Sequence, residues 1–345
     1  METPLVSVII PVMNAQSYIL PLIQMLEAQT YPSIEVILCE NGSTDDTSLA
    51  MTQALEQYPS NQHCIKKFLH VKRAGVSAAR NLGIANATGK YCVFFDGDDI
   101  LAPELIMYLV FQIQGVQMAS CGYDVAEDCE PSKVLYQSPE STARVLHATD
   151  MMCRIFFVEH YQGFIWNKIF RRDLIEKYQI RFHEDVYYNE DRTFIIEYLT
   201  HTHCTRMAPS HLYHYQLHPK SAMGKVREMQ QSEDTEFFER RVTEVLGFSY
   251  MRRALRRFRD AYYCCGADMI YSELRLFSEM LTAHKEQGRN FEKSLLRKFA
   301  RRAMLLPFEP ENEKRRALYH KLIMYGYTGS TYTPNPEWFF RIEET

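Results

Sequence analysis

Residues 91–101 read YCVFFDGDDIL. An aromatic and β-branched run passes directly into Asp96, Gly97, Asp98 and Asp99. The run has the composition of a buried strand, and the acids stand where that strand ends. A turn needs one Asp or Asn, and three neighbouring carboxylates repel one another, so this turn calls for a counter-charge. A hard divalent cation would supply it: Mg²⁺ or Mn²⁺ takes oxygen ligands from one or two carboxylates and completes its shell with substrate phosphates.

Upstream of this stretch, short β-branched runs alternate with segments of helical period. Strands are expected at Val6–Val12, Glu35–Cys39, Ile65–Val71 and Tyr91–Phe95. Helices are expected at Ser17–Ala28, at Thr44–Gln57, and through GVSAARNLGIANA, opened by Gly75 and Ser77. This alternation implies a parallel sheet with helices on both faces, and ligands of such sheets bind beyond the carboxyl ends of the strands. Polar residues stand at each of those ends: Asn14 after the first; Glu40, Asn41 and GSTDD after the second; Lys72 and Arg73 after the third, with Arg80 in the next helix; and the aspartates after the fourth. NGSTDDT by itself reads as ordinary turn and capping chemistry.

Composition bounds the rest. A chain of 345 residues with 46% hydrophobic and 24% charged content folds as a soluble globular protein of one large domain plus an extension, or of two domains. A formal charge of −4 gives no general reason to expect a nucleic-acid partner. Nine scattered cysteines without a CxxC pair suggest neither a zinc ribbon nor a secreted disulfide framework, and a reducing cytoplasm is the expected location. METPLVSVIIPVMN carries an acid where a signal peptide would be basic, and no uncharged apolar run approaches the roughly 20 residues that span a bilayer. An integral membrane protein is therefore not expected.

Several spaced motifs together resemble glycosyltransferase family 2, the inverting nucleotide-sugar transferases of the GT-A fold: SVIIPVMN, EVILCENGSTDDT, GVSAARNLGIANATGKYCVFFDGDD, WNKIFRRDLI, NEDRTF and LYHYQLHPKSAM, within about residues 5 to 225. The resemblance implies an α/β, Rossmann-like mixed sheet flanked by helices, with a C-terminal helical extension. It places a catalytic domain at 1–228, with a nucleotide-binding half at 1–100 and an acceptor half at 101–228, followed by a mainly helical extension at 229–345. Carried over position by position, it implies Asp98 as the main metal ligand, with Asp96 sharing the metal or reaching the ribose. It sets Arg80 toward the donor nucleotide, Asp191 as catalytic base with Glu190 beside it, and His218, Lys220 and Ser221 closing over the donor diphosphate. Pro11, Asn14, Glu40, Asn41 and Gly97 complete the donor set, and His218 is also a candidate metal ligand.

The chain departs from the family pattern at Met13, where a tyrosine is common, and at Glu40 and Asn41, where two aspartates are common. A carboxylate at that place commonly accepts the uracil N–H, so a UDP-linked sugar is the expected donor. The implied cofactor is Mn²⁺ or Mg²⁺, and the implied acceptor is a glycan or lipid-linked hydroxyl in cell-surface polysaccharide synthesis.

Spacing alone leaves other readings open. Glu190 and Asp191 precede an apolar run and also suit the first turn of a helix; Glu184 and Asp185 are rival bases. In WNKIF, Trp166 is expected to bury its ring, with Asn167 and Lys168 either turned to the cleft or part of the core. His211 and His214 read as neutral imidazoles in a packed loop. The arginine-rich segments MRRALRRFRDAYY and LLRKFARRAMLL read as solvated helix faces or as packing against the catalytic domain, with peripheral contact to anionic lipid as the alternative. A DxD phosphatase is disfavoured because three strand–helix units precede the motif and Ile100 follows it. A non-catalytic sugar-nucleotide binding module is the other competing class.

Overall fold

The computed structural model describes residues 3–72, 75–127, 134–138, 142–155, 163–217, 247–258, 265 and 269. Its elements are β1 (Val6–Val12), α1 (Ile19–Glu27), β2 (Ile34–Glu40), α2 (Thr47–Gln57), β3 (Cys64–His70), α3 (Val76–Asn86), β4 (Tyr91–Phe94), β5 (Ile100–Leu101), α4 (Leu105–Gln112), β6 (Met118–Glu127), β7 (Val134–Gln137), β8 (Arg144–His147), α5 (Ala148–Arg154), β9 (Lys168–Arg171), α6 (Arg172–Lys177), α7 (Glu190–Leu199) and β10 (Cys204–Leu217). The strand order is β3-β2-β1-β4-β9-β6-β10-β5, with β7 on β6 and β8 on β10.

The first four strands pair parallel, as the alternation requires. Beyond β4 the sheet becomes mixed. β9 runs antiparallel between β4 and β6, β10 joins β6 in parallel, and β5 closes the order antiparallel to β10. The wholly parallel sheet implied by alternation thus holds for half of the order, and the mixed sheet implied by the resemblance describes the whole.

Every residue of β2 is buried and β1 is nearly so, as expected for central strands covered on both faces. Alternate side chains of β1 feed two cores. Val6, Val8, Ile10 and Val12 pack with Leu22 and Leu26 of α1 and Leu105 and Leu109 of α4. Ile9 packs on the other face with Ala79 and Ile84 of α3, Met151 of α5 and Phe194 of α7. Gly83 sets the closeness of α3: a Cβ there would lie 2.3 Å from Ile9 Cγ2.

Pro11 sits in a central strand without breaking it. β1 pairs with β4 only as far as Ile9↔Phe94, so the missing N–H of Pro11 faces a position past the end of β4.

Residues 247–255 are helical, and Phe248, Met251 and Leu255 belong to the same core cluster as Phe194 and Phe182. The described part of the first arginine-rich segment, 251–258, therefore sets Met251 and Leu255 into that core, in keeping with the packing reading. The second segment, 295–306, lies outside the described residues, as do His218, Lys220, Ser221 and Arg73.

Candidate functional site

The ends of β1 and β2 are laced together by short polar side chains. Asn14, at φ 52°, accepts the Thr44 N–H on its Oδ1 at 2.8 Å, while its own N–H reaches Ser43 Oγ at 3.0 Å. Asp45 and Thr47 hold the next turn. This is the turn chemistry expected of NGSTDDT. Glu40 and Asn41 take part as well. Glu40 accepts the Ser43 N–H at 2.5 Å and faces His70 Nδ1 at 3.3 Å. Although burial alone would raise its pKa, these partners hold it below the usual carboxylate range. Asn41 Oδ1 accepts the Gly75 N–H at 2.6 Å, joining the end of β2 to the start of α3. Gly97 lies over the same rim, where a Cβ would stand 3.3 Å from Val12 Cγ1.

The three aspartates divide into different environments. Asp99 is buried; its Oδ2 accepts the Tyr213 hydroxyl at 2.5 Å and its Oδ1 the Gln216 N–H at 2.8 Å. Burial, then repulsion from Asp96 and Asp98, pushes its pKa well up. Tyr213 Oη also accepts the Asp96 N–H at 3.2 Å, so β10 fixes the acidic turn at two points. Asp96 points at Arg80, with Oδ1 3.1 Å from Nη2.

Arg80, on α3, answers much of the charge question raised by the opening stretch. Its Nη1 lies 2.7 Å from Asp191 Oδ1 and 3.2 Å from Glu190 Oε1, and Phe182 packs under the guanidinium at 5.3 Å. The expectation that Arg80 approaches the donor nucleotide meets a different arrangement: its two terminal nitrogens are engaged by protein carboxylates. A buried guanidinium has to find counter-charge, and the first turn of α7 supplies it. Nε finds no hydrogen-bond partner among the described residues.

One guanidinium faces three carboxylates. Burial first, then the neighbouring Asp191, raises Glu190, with Arg80 opposing in part. Burial likewise raises Asp96. Asp191 is placed by two donors from different elements, Arg80 on Oδ1 and the Ile165 N–H on Oδ2 at 3.2 Å. The rivals Glu184 and Asp185 are exposed and bond elsewhere, Glu184 to Asn81 at 3.5 Å and Asp185 to the Tyr250 hydroxyl at 2.7 Å.

WNKIF is a core element. Trp166 stacks on Tyr213 at 4.4 Å and on Phe164 at 4.8 Å. Asn167 and Lys168 are wholly buried, so the alternative that turns them to the cleft is corrected: both bond to backbone inside the fold. Burial pushes the Lys168 ammonium down to about 7, with Asp191 opposing. His211 and His214 lie within β10 rather than in a loop, bonded to Ser138 O at 2.8 Å and Asp124 Oδ1 at 2.7 Å.

Sequence reading missed the Tyr213–Asp99 bond and the Ile165 N–H. The strand-like alternation of LYHYQL held the signal for the first; a backbone donor leaves none.

The residues suit a divalent cation of one kind. Asp98 and the second oxygen of Asp96 are hard donors, and Asp99 is taken by Tyr213 and Gln216. Among the described residues no three His, Cys, Asp or Glu side chains form a group that could hold a metal ion. Two carboxylates fit Mg²⁺ or Mn²⁺ completed by ligand phosphates, and do not fit an all-protein site.

A model of the family described as Glycosyl transferase family 2 matches residues 7–179. The uncharacterised glycosyltransferase EpsJ of Bacillus subtilis is 29% identical over 229 residues, 63% of this chain and 62% of that protein. YibD of Escherichia coli, also an uncharacterised glycosyltransferase, is 30% identical over 225 residues, 64% and 63% of the two chains. The match thus spans a little over three fifths of these relatives. In fold, the chain is similar to S. aureus TarS 1–349 in complex with UDP-GlcNAc, at TM-score 0.66 and 19% identity over 98% of this chain and 90% of that one. It is also similar to the mannosyltransferase PcManGT of Pyrobaculum calidifontis in complex with GDP-Man and Mn²⁺, at TM-score 0.54 and 16% identity over 96% and 89%.

Proposed function

The chain belongs to glycosyltransferase family 2, and from that premise we propose that it moves a sugar from a UDP-linked donor to an acceptor hydroxyl with inversion at the anomeric carbon. The observation that carries this reading is the meeting of the acidic turn and the α7 acids on Arg80, which sets Asp96 and Asp191 on one guanidinium although 95 positions separate them in the chain. Asp191 is the base that takes the proton of the attacking hydroxyl. Arg80 keeps it oriented through the bond to its Oδ1. Glu190, driven toward its protonated form, limits the repulsion beside it.

Asp98 and Asp96 would hold a Mn²⁺ or Mg²⁺ ion, which when bound acts as a Lewis acid on the departing diphosphate. Pro11, Asn14, Glu40, Asn41 and Gly97 form the rim on which the nucleotide lies; His218, Lys220 and Ser221, outside the described residues, are assigned to the donor diphosphate on the family resemblance alone. That S. aureus TarS is known with UDP-GlcNAc and PcManGT with GDP-Man and Mn²⁺ supports a nucleotide-sugar donor and a divalent ion. The acceptor is a glycan or lipid-linked hydroxyl of cell-surface polysaccharide synthesis, reached from the cytoplasmic side of the membrane. Among the described residues no helix is long and apolar enough to cross a membrane.

Release of nucleoside diphosphate from a panel of UDP-, GDP- and dTDP-sugars, with and without Mn²⁺, tests the proposal. Mn²⁺-dependent hydrolysis of a UDP-sugar is expected. Binding of UDP without hydrolysis of any sugar would instead indicate a non-catalytic module.

A further inference from the structure

We propose that Asn167 and Lys168 are positioning residues for the base: together they lock the 163–168 turn so that the Ile165 N–H is held against Asp191 Oδ2. The inference rests on Asp191 being the base.

The turn is fastened from below. Asn167 Nδ2 donates to Cys121 O at 2.8 Å, and the Cys121 N–H returns a bond to Asn167 O at 3.0 Å, so the residue is pinned to β6 at both its side chain and its backbone. Lys168 opens β9 opposite Ser120, and its backbone N–H closes on Ile165 O at 3.2 Å. Its ammonium folds back under the turn, donating to Phe164 O at 2.5 Å and to Asn167 Oδ1 at 2.7 Å. Lys168 thereby holds the carbonyl of the peptide whose N–H, on Ile165, reaches Asp191 at 3.2 Å. Phe164 O and Ile165 N belong to one planar amide, so fixing the oxygen on one side aims the hydrogen on the other.

Burying an ammonium is costly unless its donors are used. A methionine would fill the same space without that cost, but it would remove the donor that fixes the Phe164 carbonyl. Asp191 would then keep Arg80 alone, and a carboxylate held at one oxygen swings about that contact. Misplacement of a reacting group by about 1 Å can cost on the order of 100-fold in rate.

Lys168→Met removes the donors while keeping most of the stem, and Asn167→Asp keeps the oxygen that Lys168 binds while removing the donor to Cys121. For each variant three quantities are measured: hydrogen exchange of the Ile165 amide, thermal stability, and kcat and KM for Mn²⁺-dependent hydrolysis of UDP-N-acetylglucosamine. Faster Ile165 exchange, with kcat lowered about tenfold in Lys168→Met, less in Asn167→Asp, and KM within about twofold, is expected. Wild-type exchange and kcat in the folded fraction, with only a lowered Tm, would overturn the proposal by reducing both residues to packing. Should Lys168→Met not fold, Asn167→Asp decides by the same quantities. Asp191→Asn is run alongside. Full turnover in that variant removes the base assignment and the positioning role with it, whereas full turnover in Lys168→Met beside a crippled Asp191→Asn removes the positioning role alone.

Discussion

Two carboxylate sites lie at opposite ends of the parallel strands. Near the start of β2, Glu35 is buried and collects five donors: Ser7 Oγ at 2.5 Å, the Thr88 N–H at 2.5 Å, Thr88 Oγ1 at 2.9 Å, the Gly89 N–H at 2.9 Å and Lys67 Nζ at 2.8 Å. Burial alone would raise its pKa, yet the bonds from Lys67, Ser7 and Thr88 bring it down to about 2. At the other end Asp96, Glu190 and Asp191 share one arginine, and burial raises Glu190 and Asp96 instead. The residue types are the same; the number of donors per carboxylate is not. Where donors exceed the acid's needs, the carboxylate ties strands together. Where three acids share one arginine and the Ile165 N–H, burial drives Glu190 and Asp96 toward their protonated forms, the kind of perturbation expected of a functional site.

Substitution of Asp191 tests the contrast most severely. Asn keeps the size but accepts only one of the two bonds, from Arg80 or from Ile165, and cannot take a proton. Asp191→Asn should lower kcat in the folded fraction by about 10²- to 10⁴-fold with donor KM little changed, whatever Tm is lost with the ion pair to Arg80, both measured on one preparation. Loss of Tm with normal kcat would make Asp191 resemble Glu35 and would pass the base role to Glu190.

Next in size, Asp98→Ala should abolish Mn²⁺-dependent UDP binding in calorimetry while leaving the fold intact. Undiminished binding would remove the metal assignment.

Glu35→Gln should do the reverse: a loss of roughly 3 kcal/mol of stability, seen as a Tm lower by roughly 10 °C, with kcat unaltered in the folded fraction. The pH dependence follows in sign. Because the folded-state value of about 2 lies below the ordinary 4.5, the contribution of Glu35 is complete above pH 4.5 and is lost as pH falls toward 2. The variant should therefore show a flatter stability profile across that window.

The smallest effect is expected at the rim. Replacing Glu40 and Asn41 together by Asp should shift the ratio of UDP to GDP affinity toward UDP by less than about tenfold, near the worth of one hydrogen bond. An unmoved ratio would place the base elsewhere.

The parallel half of the sheet was legible because its signals are local: each strand and helix carries its own periodicity, and the polar ends follow directly. The acidic turn was legible as a charge problem, though only part of its answer was. Arg80 and Asp191 are 111 positions apart, and nothing in ARN or NED specifies that one guanidinium joins them. β9 was hidden for a related reason. Four residues, KIFR, carry too little pattern to announce a strand, and their place between β4 and β6 depends on pairing with both. Lys168 shows the limit from the other side, since a lysine in a motif suggests an exposed ligand contact and only the packing around it shows otherwise.

The position of β9 also sets an order of assembly. During synthesis β1 to β4 emerge first and can pair, but β4 keeps an open edge until residues 168–171 arrive to cover it, and β6 waits for the same strand. An uncovered edge invites pairing with other chains. Nascent chains that stall between about residues 95 and 168 are therefore the ones most dependent on chaperones, and the acids of α7 reach Arg80 only after that hazard has passed. A partly made chain thus holds Arg80 and Asp96 before the two α7 acids that share the same guanidinium.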